Sequence, residues 1–228
     1  MGAAFAALSS QAQTFQNLDF ESATLSPTPL NEDGVYVPVG SALPGWAAYL
    51  GSVQQTQVLQ NGYDSGTASI DIFGPNYYTA GAQRPGNQGT IDGNYTVFLQ
   101  SGGNPVGNGL GPLISASIAQ TGLVPLGDQS LEFEAWDWLP STTTLGVLFN
   151  GNSLSPTVIG SGPNYTLYGV DVTPYEGQIG TLEFSALPTN PNGPSWIELD
   201  DISFSPTAIT PEPSTVALTA IGGLLFGA

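Results

Sequence analysis

The residues of this chain that could do chemistry are carboxylates and aromatics. Glu132 and Glu134 stand two apart in an alternating stretch, Glu21 closes the run Asn17-Leu18-Asp19-Phe20-Glu21, and Asp200 and Asp201 sit side by side near the other end. Acids at i and i+2 on a strand project from one face. Retaining glycoside hydrolysis uses two carboxyls about 5–5.5 Å apart, a separation that such a pair approaches. Phe133 and Ala135 then form the opposite, core-facing side, as on any half-exposed strand, and no other mark of hydrolysis accompanies the pair. The chain is therefore read as non-catalytic.

What is missing narrows the chemistry further. The sequence has no His and no Cys, and Arg84 is its single base against 18 acids, for a formal charge of −17. That removes the usual zinc ligands, the Ser-His-Asp triad, thiolate chemistry and disulfides. It also removes lysine Schiff bases and phosphate-binding loops that need a Lys. Nucleic acids and anionic lipid surfaces require clustered Lys and Arg, so neither is a partner. A surface this acidic attracts divalent cations instead.

The elements that must position these groups are strands. Thirty Gly and 19 Pro break the chain into short pieces, and no interior stretch keeps a 3.6-residue apolar period. Alternation rich in β-branched and aromatic residues predicts strands at 14–21, 45–50, 56–59, 67–73, 95–100, 114–120, 130–138, 144–149, 155–160, 165–171, 179–187 and 195–205. Asn150-Gly151 suits a type I′ hairpin turn. Segments 22–44, 74–94 and 101–112, rich in Pro and Gly, read as long loops. Many short strands without helices between them predict one all-β domain over 13–205, an antiparallel β-sandwich.

Within that sandwich the two chain ends hold the metal candidates. Leu18 and Phe20 facing the core put Asp19 and Glu21 on the other side. In 195–205, Ile197 and Leu199 have one parity and Ile202 and Phe204 the other. All four can be core only if a β-bulge inserts one residue around Asp200-Asp201. A bulged acid pair, if it faced Glu21, would be costly unless neutralised by a cation that takes 6–8 oxygen ligands. The expectation is a structural Ca²⁺ on Glu21 and Asp201, with Asp200, Asp19 and loop carbonyls as lesser ligands. The alternative is that these acids are solvated, or bonded to backbone N–H groups. The aromatic candidates are Trp138, which shares a face with Trp136, and the pair Tyr77-Tyr78 beside Asn76 in a long loop. Their rings suit sugar faces, whereas Trp46 and Trp136 are expected to pack in the core.

Residues 17–21, Leu43-Pro44-Gly45-Trp46 and Glu198-Leu199-Asp200-Asp201-Ile202-Ser203-Phe204 together resemble the galactose-binding-like jelly rolls, many of them carbohydrate-binding modules. In those proteins first-strand and last-strand motifs of this kind lie close together, often with calcium between them. The resemblance implies a jelly-roll sandwich that associates with extracellular polysaccharide. The runner-up is a structural subunit that self-associates through strand edges into a filament or layer.

The chain ends carry addressing signals. Pro211-Glu212-Pro213-Ser214-Thr215 precedes an uncharged apolar run from Val216 to Ala228. Two prolines stop any regular element, so 206–228 is a tail separate from the domain. It resembles the PEP-CTERM sorting signal of bacterial envelope proteins, with Pro211, Glu212 and Pro213 as its motif. That resemblance implies an exosortase-type processing protease as partner and a helical apolar segment. The run has thirteen residues, where a bilayer span needs about 20, and no basic cluster follows it. Either the tail is truncated or it has no sorting role. Residues 1–12, small and apolar and ending Ser10-Gln11-Ala12, read as the rear half of a signal peptide or as an Ala-rich terminus. Both ends suggest export to the envelope. Asn94-Tyr95-Thr96 and Asn164-Tyr165-Thr166 fit the glycosylation pattern, in a composition where such matches arise by chance.

Overall fold

The computed structural model describes residues 13–26, 34–62, 66–74, 90–106, 109–137, 145–189 and 194–210. They form an all-β, jelly-roll-type sandwich of two sheets. The first runs in the order β1 (Val35–Pro38), β4 (Gln57–Gln60), β5 (Ser69–Phe73), β6 (Thr96–Val106), β15 (Ser195–Ser205), β9 (Ser130–Asp137), β13 (Thr166–Asp171) and β12 (Thr157–Ser161). β7 (Gly109–Ile114) pairs with the far half of β6. The second runs β11 (Asn152–Leu154), β10 (Leu145–Phe149), β14 (Ile179–Ala186), β8 (Ala116–Leu123), β2 (Ala47–Leu50) and β3 (Val53–Gln55). Pairing is antiparallel except between β4 and β5. One helical turn, α1 (Val39–Ala42), follows β1. Among the described residues no helix is long and apolar enough to cross a membrane.

Alternation explains the core. Ile70 and Ile72, Val97 and Leu99, Leu131, Phe133 and Ala135, and Ile197 and Leu199 all point inward from the nine-stranded sheet. Ala116 and Ile118, Val147 and Phe149, and Leu182, Phe184 and Ala186 answer from the other sheet. Residues of the two inner faces interdigitate in such a sandwich. Phe133 meets Phe184 edge-on at 5.0 Å, and Trp46 lies 6.4 Å from Phe184 and 5.8 Å from Phe20. Trp46 is a core residue, as expected.

Several expectations need correction. Segment 14–21 is not a strand: it makes one isolated bridge, Thr14 to Leu123, and then turns, with Asn17 and Phe20 at φ 50° and 56°. Its backbone is satisfied by side chains rather than by a ladder. Gln16 N–H donates to Gln120 Oε1 at 2.5 Å, Gln120 Nε2 donates back to Gln16 O at 2.9 Å, and Trp46 Nε1 donates to Asn17 O at 2.9 Å. Residues 13–26 thus form a strap over the end of the sandwich. The supposed loop 22–44 contains β1 and α1, and 101–112 contains a hairpin of β6 and β7. One of the glycines that hid this hairpin serves close approach: a Cβ on Gly102 would lie 2.7 Å from the Thr67 carbonyl carbon. The Asn150-Gly151 turn is as expected, with both residues at positive φ between β10 and β11.

Candidate functional site

The bulge in β15 organises the site. Asp200 opposes Glu134 and Ser203 opposes Glu132, so β15 spends one residue more than β9 between the two pairs. Asp201 takes φ 42° there. The inserted residue lets Ile197, Leu199 and Ile202 all be buried and Phe204 pack against the core. It also splits the acid pair, because Asp200 is buried while Asp201 is exposed. The chain ends do meet: Ile202 N–H donates to Leu18 O at 3.0 Å.

Glu21 and Asp200 converge on the same turn, residues 91–95. Glu21 Oε1 accepts from the N–H groups of Asn94 and Tyr95 at 2.6 and 2.8 Å, and Oε2 accepts from Asn94 Nδ2 at 2.9 Å. Gly93, at φ 54°, passes so close that a Cβ would overlap Glu21 Oε1. Asp200 Oδ2 accepts from Thr96 Oγ1 at 2.6 Å and Asp92 N–H at 3.2 Å, and its Oδ1 accepts from Asp201 N–H at 2.9 Å. These are the donors of an anion clasp. The oxygens that Ca²⁺ would take from Glu21 and Asp200 already face N–H and O–H groups, so these two residues do not fit a cation. Asp19 Oδ1 accepts from Glu21 N–H at 3.3 Å. Among the described residues no three acids gather into a metal-binding group.

Burial drives Asp200's carboxyl up to about 7, against the opposing pull of its hydrogen bonds and with help from the Glu21 charge. Glu134 is raised by burial, eased by a hydrogen bond from Tyr165, and raised again by Asp201 and Asp92. The Tyr165 hydroxyl is raised in turn, chiefly by that bond. Asp201 is raised by burial and then by Asp92 and Asp19. Glu134 Oε2 is buried and, among the described residues, receives no hydrogen bond. Glu132, by contrast, accepts from Ser130 Oγ at 3.0 Å.

These acids lie at one end of a wider face. Directly opposed residues share a face, so three cross-strand rows line the side of the nine-stranded sheet turned away from the core. They are Thr96, Asp200 and Glu134; Asp71, Phe98, Glu198 and Trp136; and Ser69, Gln100 and Trp196. With rows two positions apart along each strand, the band is about 13 Å long. Asp71 and Glu198 are 0 % and 1 % exposed, while Trp136 and Trp196 are half-buried. Ser69 Oγ donates to Asp71 Oδ2 at 2.9 Å, and Phe98 packs on Phe73 at 5.1 Å. The register makes Trp136 and Trp196 diagonal neighbours across β9 and β15, a spacing of about 7–8 Å that large rings can span.

Trp136 is thus on the outer face, not in the core as its sequence suggested, because it has the parity of Glu132 and Glu134. Asp71, Gln100, Trp196 and Glu198 were missed. Their signal was strict alternation with buried aliphatics, in Ser69-Ile70-Asp71-Ile72 and in Trp196-Ile197-Glu198-Leu199-Asp200. The expected ligand residues Trp138, Tyr77 and Tyr78, and the sorting motif Pro211, Glu212 and Pro213, lie outside the described residues.

Comparison with known proteins gives loose structural likenesses only. No family model matches the chain, and no curated protein sequence matches it significantly. Among solved structures, a cyclase from Fischerella sp. TAU is similar at 16 % identity and TM-score 0.45, over 88 % of this chain and 99 % of that one. A family 11 carbohydrate-binding module from Clostridium thermocellum, in complex with a β-1,3-1,4-mixed-linked tetrasaccharide, is similar at 7 % identity and TM-score 0.36, over 79 % and 99 %. The xyloglucanase domain of NopAA from Sinorhizobium fredii is similar at 9 % identity and TM-score 0.29, over 75 % and 97 %. Superpositions this loose transfer no role to this chain.

Proposed function

We propose that this protein is a non-catalytic, exported surface or matrix protein that holds an extracellular polysaccharide on the outer face of its nine-stranded sheet. One observation carries the reading: indole rings interleaved with carboxylates and an amide on adjacent strands. Aromatic faces take the apolar side of a sugar ring while fixed carboxylates and amides orient its hydroxyls, the usual division of labour in a ligand site. Trp136 and Trp196 are the half-buried members through which a ligand would approach. Delivery to the envelope is read from the Pro211-Glu212-Pro213 tail and its exosortase-type protease. A glycan array probed with the full chain, with and without calcium, tests the function. Binding that Trp136→Ala abolishes while lowering the melting temperature by only a few degrees supports it; an array with no signal overturns it.

The second reading is self-association through strand edges. Exposed Tyr36 on edge β1 and Val53 on edge β3 favour it. Against it, both strands are short, β1 ends in Pro38, and edge β12 is bulged between Val158 and Gly160. Such features keep edges from pairing. Filaments of the purified chain that persist at high salt would displace the polysaccharide reading.

A further inference from the structure

We propose that the ligand of this face is an amine-bearing glycan, whose protonated amino group docks against Glu134 at the bulged end while a sugar ring rests on Trp136. This rests on the polysaccharide reading and names its substrate class.

Three observations converge. The first is the sign of the surface, 18 acids against one base. A potential of that sign repels uronate-rich or sulfated chains and concentrates cations. The second is where the acids fall. Glu134 lies at the bulged end of the face, opposite Asp200, whose own oxygens are taken by Thr96, Asp92 and Asp201. Asp92 and Asp201 close the end beside Glu134, near enough to raise its proton affinity. The third is Glu134 itself. It is 8 % exposed, its Oε2 receives no hydrogen bond among the described residues, and its bonding partner Tyr165 is a neutral hydroxyl. A buried carboxylate oxygen without a donor is costly. An ammonium supplies both the missing N–H and the compensating charge, and a charge-assisted bond is about twice as strong as a neutral one. Trp136, in the adjacent row of the same strand, offers a ring face that suits both a sugar and a nearby cation.

The test compares glucosamine oligomers with their N-acetylated counterparts by titration calorimetry on the full chain, at a pH where the free amine is protonated. The expected result is at least about tenfold tighter binding of the amine form. That preference should shrink as salt is added and fall to near parity in Glu134→Gln and Asp201→Asn, with melting curves close to wild type. Asn tolerates the positive φ of position 201, so that variant keeps the test usable if Glu134→Gln folds poorly. Equal binding of both oligomers overturns the amine assignment and leaves the polysaccharide reading intact. No binding of any glycan overturns both. A free polyamine that binds as tightly as the oligomer overturns the sugar half alone.

Discussion

The two faces of the nine-stranded sheet are both buried, yet they are made of opposite materials. Phe133 points inward onto Phe184 in a wholly apolar layer, and its chain neighbour Glu134 points outward into acids, amides and indoles. The inner face follows from the hydrophobic effect: burying a Phe or Leu stabilises by about 1.5–3 kcal/mol. The outer face buries carboxylates, which costs free energy unless they are paired or hydrogen-bonded, as Asp200 is by Thr96 and two backbone N–H groups. A sheet held together by its inner layer tolerates such a polar outer layer, and acids perturbed as Asp200 and Glu134 are are commonest at functional sites.

The sharpest way to break this comparison is to truncate each face in turn. Phe133→Ala should cost about 3–5 kcal/mol, read by denaturant unfolding, because it opens a cavity between the sheets. Trp136→Ala, half-buried on the outer side, should cost about 1 kcal/mol. Equal losses would show that both faces serve stability alone.

The next effect is in the pH dependence of stability. Asp200 has a folded pKa of about 7 against an ordinary 3.8. Its folded-state pKa is raised, so the native state holds a proton that the unfolded chain has released. The contribution is complete below about 4 and is lost as pH rises through about 7. The change across that window is on the order of a few kcal/mol. Asp200→Asn should remove this slope, seen as the difference between wild-type and variant melting temperatures plotted against pH. Parallel curves would show that the clasp donors hold Asp200 ionised.

How much of this was legible depended on whether alternation was intact. Residues 195–205 were placed as a strand with the observed bounds, and the parity break between Leu199 and Ile202 located the bulge. The strap 13–26 misled, because Leu18 and Phe20 have strand parity while the backbone is turned by bonds to Gln120 and Trp46, residues distant in sequence. The β6–β7 hairpin was hidden by its glycines, and the reason for one of them, Gly102, is tertiary: the nearby backbone of 66–68. Trp136 was misassigned because aromatic character was weighed above its phase with Glu132 and Glu134. The clasp donors of 91–95 could not have been found, since backbone N–H groups leave no mark in composition.

Smaller is the loss of one clasp. Glu21→Ala removes the acceptor for three hydrogen bonds on the exposed side of the 93–95 turn, and should cost about 1–3 kcal/mol. Glu21→Gln should recover part of this through Oε1, while the Gln amide would face the amide of Asn94. Hydrogen exchange at Asn94 and Tyr95 should rise more than exchange in β6 beyond them. Uniform acceleration would mean that the strap unfolds with the whole domain.

The smallest expected effect belongs to metal removal. Glu21 is satisfied by three protein donors, and Asp200, bonded to three more, holds its proton below about pH 7, so neither acid calls for a cation. Melting in EDTA and then in excess Ca²⁺ should give the same midpoint. In a chain of this length 1 kcal/mol moves the midpoint by roughly 2–4 °C, so even weak occupancy is measurable. A rise in Ca²⁺ would have to come through Asp19, Asp92 and Asp201, whose side chains are exposed beside the clasp. Triple substitution of those acids by Asn should then abolish the rise and leave the Glu21 bonds in place. A rise that survives the triple variant would return the cation to Glu21 and Asp200 and show that the N–H donors give way to it.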